Sequence, residues 1–253
     1  MNNQLIKAFR LAEANFFEML SSERWGDDNI STFVTGVKAA NLNPVIVHAV
    51  GQTFPESLTS CRDFYADKQL PWALLMPEYH YNTGVEHLLK EQHFIHNDNG
   101  MAMAHLLDGL DSPCTDSSYR VREMDDALEE WGLPLLLGFE STPVITDVYV
   151  KRHALAVQKG GELYHFSGFI GDQIVCSLSL SIIEGYARID DVATSPLYQR
   201  NGYATALMLA ALNRAKEQKA KACFLEASDV GLNVYKNIGF LELFKNFYYE
   251  IAE

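Results

Sequence analysis

Cysteine is scarce in this chain. Its 253 residues hold only Cys61, Cys114, Cys176 and Cys223, with no CxxC pair among them. That spacing offers no disulfide framework and no structural zinc site, and it suits a reducing compartment. Long apolar runs are missing too: the longest, near residues 133–139, is far below the ~18 residues that a membrane span requires. Basic residues are in deficit, 20 against 33 acidic ones, for a formal net charge of −13. A nucleic-acid binder working by phosphate neutralisation would need a basic patch, and no Lys/Arg block here is longer than two. Several catalytic signatures are absent as well. There is no Gly-x-x-x-x-Gly-Lys phosphate loop, no Gly-x-Gly-x-x-Gly fingerprint, no His-Glu-x-x-His pair and no Gly-x-Ser-x-Gly elbow. No metal, nucleic-acid or membrane partner is expected, and the expected location is the cytoplasm.

What is present reads as an ordinary globular protein, with 48 % apolar and 21 % charged residues. Leu5, Phe9, Ala12, Phe16 and Leu20 recur at helical spacing, so the N-terminus is an amphipathic helix of the fold rather than a signal peptide. Residues 108–118, rich in Asp, Ser, Gly and Pro, read as a linker that divides the chain into domains 1–117 and 118–253. The second domain has a clear rhythm. A strand at 119–122 precedes a helix through 124–131 and another at 143–158. Strands follow at 162–170, 173–183 and 186–194, with Gly171-Asp172 as a hairpin turn. A helix over 201–218, a strand at 222–227, a helix at 232–238 stopped by Gly239 and a strand at 244–251 complete it. The expected class is α/β with a mixed central sheet.

The first domain repeats part of that order: a helix at 55–68, a strand at 72–76, a helix at 85–92 and a strand at 101–107. Laying Phe94 on Phe240 places Leu89 on Tyr235 and His93 on Gly239. This is compatible with an internal duplication, and also with two α/β halves that merely share an order. His87, His93 and His96 lie close in sequence without a metal-binding pattern.

The chemically informative stretch runs Asp190-Asp191-Val192-Ala193-Thr194-Ser195-Pro196, then Gln199-Arg200-Asn201-Gly202-Tyr203-Ala204-Thr205. A strand turns through a proline into a Gln-x-x-Gly-x-Ala loop that opens a helix. The first turn of a helix presents unpaired N–H groups and the positive end of its dipole. Gly202 lets an anion approach the main chain, Ala204 permits close packing and Arg200 adds positive charge at the rim. Such a loop is built for a diphosphate.

Together with the downstream Leu225-Glu226-Ala227-Ser228, Gly231 and Val234-Tyr235-Lys236-Asn237-Ile238-Gly239-Phe240, this stretch resembles the GNAT superfamily of acetyl-CoA-dependent N-acetyltransferases. The likeness extends over roughly residues 119–253. It implies a mixed sheet of the GNAT acyltransferase type, preceded by a smaller α/β half that is a degenerate repeat or an accessory domain. It implies acetyl-CoA as donor, held by the backbone of Val192, Ala193 and Thr194 and by the loop Gln199, Arg200, Asn201, Gly202, Tyr203, Ala204 and Thr205. It makes Tyr235 the acid that protonates the departing thiolate. The reaction implied is direct acetyl transfer to a primary amine on a small molecule or protein.

For the general base, the candidate carboxylates are Glu226 first and Asp191 second. Strand alternation puts Asp190 and Asp191 on opposite faces. Family members with a glutamate earlier on this strand would have it near Arg188, which cannot serve as a base. The first half, with Leu89 in place of the tyrosine and no matching loop, is expected neither to hold the donor nor to protonate it. A binding protein that keeps the acyl-CoA site without turnover is the alternative, and the oligomeric state is open.

Overall fold

The computed structural model describes residues 2–108 and 119–252, so nearly all of the expected linker, Cys114 included, lies outside the described residues. The first half runs α1 (Asn2–Leu20), β1 (Glu23–Gly26), β2 (Ile30–Val34), β3 (Pro44–Val47), α2 (Phe54–Ala66), β4 (Ala73–Pro77), α3 (Thr83–Glu91) and β5 (Phe94–Leu106). The second runs β6 (Tyr119–Glu123), α4 (Leu128–Gly138), α5 (Pro143–Gln158), β7 (Leu163–Ile170), β8 (Gln173–Ile183) and β9 (Tyr186–Thr194). It continues through α6 (Tyr203–Glu217), β10 (Ala222–Ala227), α7 (Leu232–Ile238) and β11 (Leu241–Ile251).

Two compact units emerge, and their borders differ from the 117/118 seam. One comprises residues 1–20 and 103–243, the other 21–102 and 244–253. In the first unit the strand order is β5-β10-β9-β8-β7-β6. Strands β6 to β9 are joined antiparallel, and β9 pairs parallel with β10. Helix α1 belongs here, and its Phe9, Ala12, Phe16 and Leu20 are buried, as their spacing requires. The second unit has the order β1-β2-β3-β4-β11-β5, with β1 to β3 antiparallel and β3 parallel to β4. Its core is built on Phe54, Leu58, Tyr65, Leu74 and Leu89, with the Tyr65 and Trp72 rings stacked 5.4 Å apart.

Each unit therefore takes its last strand from the other half of the sequence: the end of β5 in the first, β11 in the second. The orders β3-α2-β4-α3-β5 and β9-α6-β10-α7-β11 match, as two copies of one unit would. Local conformation agrees with the duplication. His93 and Gly239, each one residue before the matching phenylalanine, both stop their helices with positive φ, +59° and +109°. Gln69 and Lys219, in the turns after α2 and α6, are likewise left-handed.

Two expected elements shift. The helix expected over 124–131 starts only at Leu128, because Asp125 and Asp126 form a turn whose Met124 N–H donates to His165 O. Strand β5 begins at Phe94 rather than 101, and β1, β2 and β3 were not anticipated.

Candidate active site

Strands β9 and β10 run parallel, and among the described residues they pair only over Tyr186–Arg188 and Ala222–Phe224. Beyond that point β9 continues to Thr194 and β10 to Ala227. Past Arg188 and Phe224 the ladder between the two strands ends, and their facing edges are no longer paired with each other. An extended chain bearing amide groups can complete that ladder. Val192, Ala193 and Thr194 lie on this edge. On its other side β9 stays paired with β8, through Ala193 to Ser177 and Thr194 to Cys176.

A β-bulge sits beside the opening. Between the pairs Ser177–Ala193 and Ser179–Asp190, Leu178 faces both Asp191 and Val192, and Asp191 takes φ +61°. The carbonyl of Leu178 accepts instead from Trp131 Nε1 at 2.9 Å. This corrects the simple alternation of Asp190 and Asp191: the extra residue breaks the period of two and lets both carboxyls turn inward. Asp190 accepts both of its bonds from Arg188 Nε, at 3.0 and 2.9 Å. Asp191 accepts from the Tyr149 hydroxyl at 2.7 Å and from Ser179 Oγ. Burial, then the charge of Asp190, pushes the Asp191 carboxyl up to about 7. Burial also raises Asp190, opposed by Arg188. Glu226, half-buried on β10, adds to the negative field around Arg188.

The loop after β9 is held by its own side chains. Gln199 Nε2 donates to Thr194 O, and Asn201 Nδ2 donates to the carbonyls of Tyr198 and Gln199. Arg200 is exposed with φ +62°, and Gly202 caps α6 at φ +80°, where an added Cβ would meet nothing within 4 Å. The first intrahelical bond is Ala206 N–H to Gly202 O, so the N–H groups of Gly202, Tyr203, Ala204 and Thr205 precede the helical ladder. Left-handed turn, open space and a fan of donors fit the diphosphate expected there. Tyr119 steadies the start of this helix, its ring stacked on Tyr203 and its hydroxyl bonded to Tyr203 O.

Tyr235, on α7, is partly buried against Phe240 at 6.1 Å. Burial and the charge of Asp190 push its phenol up to about 12, so it stays protonated at neutral pH. Asp190 lies close enough to bias Tyr235, Arg188 links Asp190 to Glu226, and Asp191 neighbours Asp190.

Sequence reasoning missed Tyr149, Ser179, Trp131, His153 and His165, all of which pack behind Asp191. The available signal was His165 in the largely apolar run of 163–170, which a buried polar network explains better than exposure, whereas His153 follows Lys151 and Arg152 and carried none. Among the described residues no group of three His, Cys, Asp or Glu side chains could hold a metal, and no helix is long and apolar enough to cross a membrane.

With this geometry in place, the comparisons with known proteins fall into line. Residues 124–240 match the family described as Acetyltransferase (GNAT) family. That part of the chain is similar to GNAT acetyltransferases and has their fold. Solved structures extend the fold to the whole chain. A GCN5-related N-acetyltransferase from Kribbella flavida is 14 % identical with a TM-score of 0.72, over 97 % of this chain and 96 % of that one. Another from Sphaerobacter thermophilus is 14 % identical with a TM-score of 0.66, over 89 % and 78 %. A tandem GNAT protein from the clavulanic acid biosynthesis pathway is 14 % identical with a TM-score of 0.62, over 89 % and 80 %. At such identities the likeness speaks for the fold. A search of curated proteins finds no match.

Proposed function

We propose that this protein transfers an acetyl group from acetyl-CoA to a primary amine, within a single site in the unit formed by residues 1–20 and 103–243. The observation that carries this reading is the end of pairing between β9 and β10, followed on β9 by the loop with the left-handed Gly202 that opens α6. Acetyl-CoA supplies the acetyl group as an activated thioester. The edge of Val192, Ala193 and Thr194 holds its amide-bearing arm, and the N–H groups from Gly202 to Thr205 hold its diphosphate.

Tyr235 donates its proton to the departing sulfur. A neutral phenol suits this task because it keeps its proton at working pH. Asp191 takes a proton from the acceptor's nitrogen. Its carboxyl, pushed up to about 7, is a stronger base than an ordinary carboxylate, and Glu226 is the other candidate. The acceptor is an amine on a small molecule or a protein side chain. The free thiols of Cys61, Cys176 and Cys223 suit a reducing, cytoplasmic setting.

The test is thiol release from acetyl-CoA across a panel of amines, beside calorimetric binding of CoA. Amine-dependent release with one CoA bound supports the reading. Tight CoA binding without turnover on any amine replaces it with the non-catalytic acyl-CoA-binding protein.

A further inference from the structure

Behind Asp191 a row of polar groups runs through the core to the surface. His153 Nε2 lies 3.7 Å from Asp191 Oδ2 and has no hydrogen-bond partner. His153 Nδ1 is 2.8 Å from His165 Nε2, and His165 Nδ1 is 2.8 Å from Asp125 Oδ1. Both imidazoles are completely buried, while Asp125 is one third exposed at a surface cleft. The main-chain N–H of His165 donates to the same Asp125 oxygen.

The donor order of this row is fixed from its outer end. A carboxylate only accepts, so His165 carries its proton on Nδ1 and leaves Nε2 as a lone pair. That lone pair accepts from His153, so His153 also carries its proton on Nδ1. His153 therefore turns a bare Nε2 lone pair toward Asp191. A lone pair repels an ionised carboxylate and accepts from a protonated one. We propose that Asp125, from the protein surface, fixes the tautomers of His165 and His153 and through them sets the proton affinity of Asp191. His153 and His165 are positioning residues in this device. Only the final step, in which Asp191 receives the acceptor's proton, rests on the acetyl-transfer reading. In that step the N–H bond of the acceptor breaks, an O–H bond forms on Asp191, and the new hydroxyl points at His153 Nε2.

Other groups face the row from every side. Around Asp191 stand Tyr149 of α5, Ser179 of β8, and Asp190 and Arg188 of β9. Around His153 stand His165 of β7, Trp131 of α4, Tyr149 of α5 and Phe16 of α1, and α1 also adds the charge of Glu13 near Asp190. Tyr149 and Ser179 donate to Asp191 and favour its ionised form. The lone pair of His153 works against them. Burial holds both histidines below their ordinary range, so they stay neutral and act through tautomer rather than charge.

The experiment reads the carboxyl directly. In ¹³C spectra of the full chain, Asp191 titrates in wild type, Asp125→Asn, Asp125→Ala and His165→Phe. Asn keeps an accepting oxygen, so Asp125→Asn should titrate as wild type does. Asp125→Ala and His165→Phe free the tautomer, and the Asp191 carboxylate then draws a proton onto His153 Nε2. Its midpoint should fall by at least one pH unit in both. ¹⁵N imidazole spectra of wild type should show both buried rings as Nδ1–H tautomers, a reading that survives if a variant fails to fold. An unchanged Asp191 midpoint in the folded variants, or Nε2–H tautomers in wild type, overturns the proposal. The acid limb of kcat/KM should move with the carboxyl. A limb that stays while the carboxyl shifts overturns the part assigned to Asp191 in catalysis. Absence of turnover with every amine overturns the acetyl-transfer reading and leaves both spectroscopic tests standing.

Discussion

The ring of Tyr119, the first described residue of β6, lies stacked on that of Tyr203, the first residue of α6, with centroids 5.4 Å apart. Its hydroxyl donates to Tyr203 O at 3.0 Å and also meets Cys176 Sγ. A strand at the sheet's edge thereby fixes the start of the helix whose N–H groups face the proposed diphosphate. Tyr119→Phe keeps the stack and removes the bond. One such hydrogen bond is worth about 1 kcal/mol, so affinity for CoA should fall about fivefold while kcat holds. Calorimetry of CoA binding checks this, and a loss of kcat at constant affinity would contradict it.

Gly202 separates backbone strain from ligand repulsion. Its φ of +80° strains any L residue, yet an added Cβ has open space. Gly202→Ala should cost about 1 kcal/mol of stability and retain measurable CoA binding. Gly202→Glu carries similar strain and sets a carboxylate at the mouth of the N–H fan, so it should abolish binding. Melting temperature and CoA titration of the pair decide the matter. Tight binding by the Glu variant would remove the basis of the functional assignment.

Tyr235→Phe keeps the ring against Phe240 and deletes the donor. General-acid assistance is worth about 10²–10⁴ in rate, so kcat should fall in that range with CoA affinity nearly constant. Because the phenol is pushed up to about 12, wild type should show no alkaline fall in kcat from this group below pH 10. A pH–rate profile tests the second point, and weaker CoA binding at unchanged kcat would mark Tyr235 as a packing residue.

The buried histidines also govern stability against acid. Burial lowers His153 and His165 below their ordinary value of 6.5. The unfolded chain takes up protons below pH 6.5 that the folded chain refuses, so stability is complete above that pH and lost as pH falls. Both histidines contribute to this loss in the same direction. Asp191 acts oppositely. Raised from 3.8 to about 7, it holds a proton that the unfolded chain lacks, and it restores a similar amount over the same window. His153→Gln removes one histidine, so the stability advantage of wild type over the variant should shrink as pH falls below 6.5. Urea unfolding at pH 7, 6 and 5 measures it, and a constant difference would show that His153 titrates normally.

The turn into α6 was legible because its determinants are local: Pro196 turns the chain out of β9 and Gly202 supplies the left-handed residue before the helix. The segments at 143–158, 173–183, 186–194, 222–227 and 232–238 were legible for the same reason, through periodicity and the stop at Gly239. The bulge at Asp191 was not, since alternation presumes an unbroken ladder and the extra residue exists only against its partner strand. Strand β5 was read only from residue 101 because His96-Asn97-Asp98-Asn99 has the composition of a loop. Its pairing partners lie at the far end of the chain, where Asn97 bonds Glu250 and His93 O accepts from Ala252 N. The exchange of last strands and the row from Asp191 to Asp125 join residues with no sequence relation. Only the fold makes them neighbours.

The last prediction concerns the unit formed by residues 21–102 and 244–253, which repeats the strand–helix–strand order yet should bind no CoA. Helix α2 occupies the place of α6, and its first turn is chemically wrong for an anion. Pro55 lacks an N–H, which removes one of the four donors of a helix start, and Glu56 adds negative charge in the first turn. Thr53 caps the helix with φ −90° where Gly202 is left-handed, so the chain enters on a different path. Leu89, in the place of Tyr235, is 1 % exposed and packed into the core, with no group to protonate a thiolate. Calorimetric titration of the full chain should therefore give one CoA per chain, falling to none in Gly202→Glu. Two sites in wild type, one of them surviving in Gly202→Glu, would show that α2 binds the donor despite Pro55 and Glu56.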